Sequence, residues 1–175
     1  MQKVTNPFVW LTRFRHRCGY GVHSPFAFRF ITDVIYEQQP YYAYADLDKL
    51  LPLGMRLRQR KGLHLLLRLA NRLQPRTIVL PRDAWWEKRY MQSGCRKASI
   101  MIGWPAGEVD MCLLREPAHE ALRHIGEHSV LLLDNLHRHR EWFANLPSVV
   151  SFDLHDLGIA FFDTNYNRQY YKVNF

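Results

Sequence analysis

The sequence predicts a three-layer α/β sandwich on a largely parallel sheet, and three observations carry that prediction. Apolar spacing is helical up to Leu73 and breaks into short apolar runs after Gln74-Pro75. From there the runs alternate with helical stretches, the pattern of βα units. The chain then closes on two apolar runs, 149–154 and 158–162, joined by a turn at His155-Asp156-Leu157.

The elements follow in order. Residues 5–17 alternate apolar and basic and read as a short helix lying on the body. Cys18-Gly19-Tyr20-Gly21 allows a tight path. Ser24-Pro25 is a helix start, a hydroxyl at the cap and a fixed φ behind it. A helix over 25–36 places Phe26, Phe30, Ile31, Val34 and Ile35 on one core face. A short helix is expected at 45–51, broken by Pro52-Leu53-Gly54. A long one follows over 55–73, with Leu57, Leu63, Leu66, Leu67, Ala70 and Leu73 inward and Arg56, Arg60, Arg68 and Arg72 outward. Strands are expected at 77–80, 98–102, 109–114, 130–133, 149–154, 158–162 and 170–175. Helices are expected at 83–93, capped by Asp83 and closed by Gly94, at 117–127 and at 138–144. No linker or repeat divides the chain, so residues 1–175 are expected to form one domain, helical over 1–74 and βα over 75–175.

Composition bounds the function. The 175 residues are 47% hydrophobic and 23% charged, a globular balance. No apolar run approaches the ~20 residues of a membrane span. Nothing reads as a secretory leader, and three scattered cysteines (Cys18, Cys95, Cys112) suit a reducing cytoplasm better than a disulfide framework. The net charge of +8 is uneven: residues 1–32 carry five Lys/Arg and no acid, and residues 51–82 carry eight and no acid. That half is either a solvated basic face or the docking surface of an anionic partner, nucleic acid included.

Three segments resemble the class I S-adenosylmethionine-dependent methyltransferases. Gly21-Val22-His23-Ser24-Pro25-Phe26 is similar to an N-terminal segment of a bacterial subgroup of that family. Leu73-Gln74-Pro75-Arg76-Thr77-Ile78-Val79-Leu80 is similar to the lead-in to the family's first strand. Residues 129–137, 152–154 and 157–162 resemble its fifth strand and closing hairpin. The resemblance implies a Rossmann-like methyltransferase sheet, here reduced, with an antiparallel C-terminal hairpin and a helical N-terminal segment.

The departures from the family pattern fall where the cofactor would sit. Leu80 stands where the first strand should end in an acid, and Arg82 and Trp86 stand where glycines should bring the backbone to the cofactor. Asp83 is placed to cap the next helix itself. Gly103-Trp104 follows the second strand, where an acid should meet the ribose, with Glu108 and Asp110 as the nearest acids. About six residues join this strand to the next, too few for a helical crossover of roughly 10–12, so a helix and a strand of the cofactor half are expected to be missing. Asp134-Asn135 matches the metal pair of the family's O-methyltransferases, but Arg115 replaces the third carboxylate, with Glu116 one residue off. No metal is expected.

The remaining constellations are weaker. His137 and His139 do not share a helix face. His124 and His128, with Glu120, have ligand spacing on a helix but lack a fourth partner. Trp85-Trp86 and Tyr41-Tyr42 offer rings to bases, or divide between core and surface. The main expectation is a degenerate methyltransferase-fold protein without the usual S-adenosylmethionine binding, acting through a protein partner or an anionic ligand. The alternatives are an active methyltransferase using His23, Asp134 and Asn135, with S-adenosylmethionine as cofactor, and a nucleic-acid binder.

Overall fold

The computed structural model describes Val22 and residues 24–175. The helix expected at 5–17, the glycine turn, Cys18 and His23 lie outside the described residues.

Ser24 caps the first helix, α1 (Pro25–Phe30), its hydroxyl accepting from the amide of Ala27 at 3.3 Å. Phe30 packs on Phe152 and Phe161, with centroids 4.8 and 5.0 Å away, and Phe26 stacks on Tyr166 at 4.4 Å. The helical N-terminal part is thereby fixed to the closing hairpin. Ser24→Ala should cost about 1 kcal/mol, the usual loss of a cap, read as a lower urea midpoint at unchanged slope.

The expected single helix over 25–36 does not stay α-helical. Residues Ile31–Ile35 widen into a π-helical turn. Arg68, expected outward, is buried against it at 6% exposure. Its Nε donates to the Val34 carbonyl at 2.6 Å and its Nη2 to the Ile35 carbonyl at 3.1 Å. The guanidinium thus takes carbonyls at the end of the widened turn that no later helical turn would satisfy.

Helix α2 (Tyr42–Lys49) starts earlier than expected, and α3 (Leu57–Leu73) ends on Gln74 in the left-handed region, at φ 47°. Leu63 and Leu65–Ala70 are all buried, Leu65 and Leu69 among them, while Leu57 is exposed. Leu63, Leu66, Leu67 and Ala70 are thus inward as expected, but over 65–70 burial extends all round, while residues 57–61, 71 and 72 are exposed. A helix packed on several sides shows that pattern instead of one apolar face. Asp48 of α2 accepts from Tyr90 Oη at 2.6 Å and pairs with His64 Nε2 at 2.8 Å. Burial opposes the Asp48 charge, but the Tyr90 and His64 hydrogen bonds and the charges of His64 and Arg60 outweigh it and hold the carboxyl below its usual range. A depressed carboxylate stabilises the fold above its unfolded pKa of ~3.9, and that contribution is lost as pH falls through the lower folded value. Asp48→Asn should therefore lower stability near neutrality and narrow the gap to wild type below about pH 3, read by thermal melts across pH.

Strand β1 (Thr77–Val79) leads to α4 (Trp85–Gly94). Asp83 does not cap α4: the cap position is Ala84, without a side-chain bond, and Asp83 turns instead toward Arg115 at 3.5 Å. Gly94 ends the helix from within. A Cβ there would meet the Leu67 carbonyl at 2.2 Å, so the glycine serves the close approach of α3 and α4.

Then come β2 (Ser99–Met101) and β3 (Val109–Leu114). The helix expected at 117–127 is replaced by a short 3-10 turn at His119–Arg123, and β4 (Ile125–Asp134) begins at once. Pairing with β3, Ile125 opposite Val109, overrides the helical spacing there. His124, His128 and Glu120 consequently share no helix face. His124 stacks on Trp104 at 5.1 Å instead. A 3-10 turn at Leu136–Arg138 and helix α5 (Arg140–Ala144) precede β5 (Val150–Asp153), β6 (Leu157–Phe161) and β7 (Gln169–Lys172).

The seven strands form one sheet in the order β2-β1-β3-β4-β6-β5-β7. β2, β1, β3 and β4 are parallel, β6 is antiparallel to both β4 and β5, and β7 runs parallel to β5. Alternate residues build two cores. Ile78, Leu80, Met111, Leu113, Val130 and Leu132 face a layer with α1, α3 and α4, whereas Val79, Cys112, Leu114, Leu131 and Leu133 face Ala121, Leu136 and Phe143. The three-layer sheet with a closing antiparallel hairpin is thus present. Among the described residues no strand lies outside β2. Residues 102–108 return from β2 to β3 without a helix, and their reach of ~24 Å suffices because β2 is only three residues long. Buried Cys95 and Cys112 are free thiols, and burial pushes Cys112 up to about 12. That removes it as a nucleophile at neutral pH.

Candidate functional site

In a parallel α/β sheet the ligand crevice opens at the carboxyl ends of the strands, where successive connections diverge to opposite sides. Here that point lies between β1 and β3. The chain leaves β1 through α4 toward β2, and leaves β3 toward β4 on the other side. The crevice is bounded by Leu80-Pro81-Arg82-Asp83 after β1, Arg115 after β3 and Asp134-Asn135 after β4.

Arg115 bridges all three edges. Its Nη1 donates to Asp134 Oδ2 at 2.7 Å, its Nη2 to Glu87 Oε1 at 2.8 Å, and its Nε lies 3.5 Å from Asp83 Oδ2. The side chain is 28% exposed, against 16% for Glu87 and 35% for Asp134. Burial disfavours the charged guanidinium, but Glu87 and Asp134 outweigh it, and the Arg115 pKa is raised. A planar fork with five donors suits this role, whereas a lysine would meet one acid at a time.

The positions singled out in the sequence divide as follows. Leu80 is buried, and its amide donates to the Met101 carbonyl at 3.0 Å, extending the β1–β2 pairing. Pro81 offers no amide, and Arg82 is exposed. Trp86 packs, partly buried, on the larger core, while its neighbour Trp85 is 62% exposed beneath Arg89 at 5.7 Å. Gly103 takes a left-handed φ of 88°, and Trp104 behind it packs on the smaller core. Tyr41 packs on Tyr44 at 5.4 Å, and Tyr42 is fully exposed. Both aromatic pairs therefore split between inside and outside.

Asp134 and Asn135 sit together at the end of β4. Asn135 is left-handed at φ 54°, and its amide donates to Asp134 Oδ1 at 2.9 Å. Asp134 therefore caps its neighbour and pairs with Arg115, and the carboxylate is bound on both oxygens. This donor set does not suit a hard cation, which takes six to eight oxygens and no guanidinium beside them. Asp110 lies at the other end of the sheet, accepting from the amides of Arg76 and Thr77 at 2.6 and 3.1 Å. Glu108, beside Gly126 of β4, is at that amino end too. Neither acid reaches the carboxyl edge to serve a ribose. The crevice residues depart from the pattern that the resemblance implies: Pro81 and Arg82 stand in the turn after β1, Gly103 and Trp104 follow β2 where an acid would meet the ribose, and Arg115 stands where the family pattern has a carboxylate.

The antiparallel β6, set between β4 and β5, decides the fold. The chain has a seven-stranded, mixed Rossmann-like sheet. No family model and no curated protein matches it. Among solved structures, a methyltransferase from Geobacter sulfurreducens is similar at 16% identity and TM-score 0.45, over 69% of this chain and 95% of that one. Cofactor-bound Rv0187 from MTB is similar at 11% identity and TM-score 0.45, over 69% and 87%. The O-methyltransferase TomG from Streptomyces achromogenes, in complex with SAM, is similar at 13% and TM-score 0.35, over 61% and 70%.

Sequence reasoning placed Arg115 beside Asp134 but missed Glu87 and the reach of one guanidinium to three acids. Glu87 lies in the first turn of α4, where an acid is unremarkable. Another group was missed altogether. His137, His155 and Asp156 converge at the same carboxyl edge, with Arg58 of α3 against them.

Proposed function

We propose that this chain is a degenerate methyltransferase-fold protein that does not bind S-adenosylmethionine in the usual cradle and acts by binding a partner or an anionic ligand. The observation that carries the reading is the Arg115 bridge: Asp134, Glu87 and Asp83 converge on one guanidinium across the crevice. Opening it would leave a half-buried cation without partners, at a cost of about 2–3 kcal/mol to any ligand that displaced it. Pro81 and Arg82 add to this, since neither supplies the backbone freedom and the amide cluster that a cofactor carboxylate needs. The binding role is supported by the surface around the start of α3. Leu53 and Leu57 are exposed there beside Arg56 and Arg58, an apolar and basic combination suited to an acidic, partly apolar partner.

Calorimetric titration with S-adenosylmethionine tests the reading. No saturable heat up to about millimolar ligand, a binding free energy near −4 kcal/mol, is expected. Micromolar binding would overturn the reading in favour of the alternative with S-adenosylmethionine as cofactor, and DNA or RNA binding with a steep salt slope would favour the nucleic-acid alternative.

A further inference from the structure

The carboxyl edge carries a second group of residues that the crevice does not use. His137 stands in the turn after β4, and His155 and Asp156 stand in the β5–β6 turn. His155 Nδ1 lies 2.8 Å and His137 Nδ1 3.4 Å from the same oxygen, Asp156 Oδ1. The candidate ligand atoms all fall within 4.8 Å of one another. Ligand atoms on a tetrahedral zinc, with bonds of ~2.0–2.1 Å, are ~3.3–3.4 Å apart. Rotamer adjustments of about 1 Å therefore convert the cluster into a coordination shell.

The two turns are held to each other and not left to drift. The Leu136 amide donates to the Asp156 carbonyl at 2.9 Å. The His155 amide donates to Asp153 Oδ1 at 2.8 Å, and buried Asp153 fixes His155 at a left-handed φ of 76°. The imidazole rings stack with centroids 5.6 Å apart.

We propose that His137, His155 and Asp156 form a binding site for a borderline divalent metal of the zinc or nickel class, with Arg58 as a displaceable cation that holds the site closed. Two imidazoles with one carboxylate select such metals over magnesium or calcium, which prefer oxygen. Three protein ligands leave a fourth position for water or a ligand heteroatom. Arg58 Nε lies 2.6 Å from Asp156 Oδ2, and its Nη2 3.3 Å from His155 Nδ1. The guanidinium thus occupies the cationic position itself. Its side chain is 43% exposed at the first turn of α3, so it is free to swing into solvent. Metal binding at this edge consequently releases the start of α3, where the exposed leucines lie.

Zinc titration of the full chain against a fluorescent chelator tests the proposal, with magnesium as control. One zinc per chain is expected, with no response to magnesium. His137→Ala and His155→Asn should each weaken that site at least about tenfold, since loss of even an outer-shell partner costs about 10–100-fold. Asparagine at 155 tolerates the left-handed backbone, so this variant should stay folded by far-ultraviolet circular dichroism. Arg58→Ala should bind zinc about two- to fivefold more tightly, the worth of an exposed ion pair removed from competition. Absence of stoichiometric zinc binding, or wild-type affinity in the folded His155→Asn protein, would overturn the site. Unchanged or weaker affinity in Arg58→Ala would overturn the role given to Arg58.

Discussion

Arg68→Ala is expected to destabilise the protein by about 3–5 kcal/mol. Each buried carbonyl left without a donor costs about 1–3 kcal/mol, and Arg68 serves two of them, Val34 and Ile35. Its stem also fills space between α3 and the widened turn after α1, and truncation leaves a void there. In a chain of this size each kcal/mol lowers the melting temperature by about 2–4 °C, so a loss near 10 °C is expected. Arg68→Met, which restores the stem but not the donors, should recover only part of it. Urea unfolding of both variants measures this, and equal stability of Arg68→Ala and wild type would show that the carbonyls find water.

The second large effect is expected at Arg115. Arg115→Ala leaves Glu87, Asp134 and Asp83 facing one another without a cation. Fully buried pairs cost 3–5 kcal/mol when one partner is removed, and exposed pairs about 1 or less. At 28% exposure Arg115 falls between them, and about 2–3 kcal/mol is expected. The sign with pH follows from the charges left behind. Protonating the orphaned carboxylates relieves their repulsion, so the deficit against wild type should shrink in acid. Arg115→Lys should recover part of the loss, since an ammonium neutralises the cluster but cannot span it. Parallel urea titrations at neutral and acidic pH decide the matter. A deficit that grows in acid would show that Arg115 stabilises the fold through packing alone.

The sheet was legible because buried strands announce themselves. The runs around Ile78, Met111, Leu131 and Ile159 are short and apolar and interrupted by turn residues, and each is a strand. Ser24-Pro25 was legible as a cap because its chemistry is local. The segment 117–127 was not, since Ala118, Ala121, Leu122 and Ile125 carry helical spacing while the partner that pulls Ile125 into a strand, Val109, lies far back in the chain. Arg68 was illegible for the same reason. An arginine inside an Arg-rich helix reads as solvated, and the carbonyls it serves are more than thirty residues away. In the crevice the sequence showed which groups depart from the family pattern, Leu80, Arg82, Trp86, Gly103 and Arg115. It did not show that Asp83 abandons its helix for Arg115. Nor did it pair His137 with His155, because that meeting depends on two turns brought together by the hairpin.

The closed crevice is tested most directly by amide chemical shifts of isotope-labelled protein during titration with S-adenosylmethionine. The reporters are Leu80, Arg82, Asp83 and Trp86 after β1, Gly103 and Trp104 after β2, and Arg115 with its partner Asp134. With Arg115 bridging the three edges, these amides should stay in place up to about millimolar ligand, a binding free energy near −4 kcal/mol. Saturable shifts at Arg82, Asp83 and Gly103 at micromolar ligand, with Arg115 moving in step, would contradict the account: the bridge would be a gate that the cofactor opens, and Trp86 a wall of its pocket.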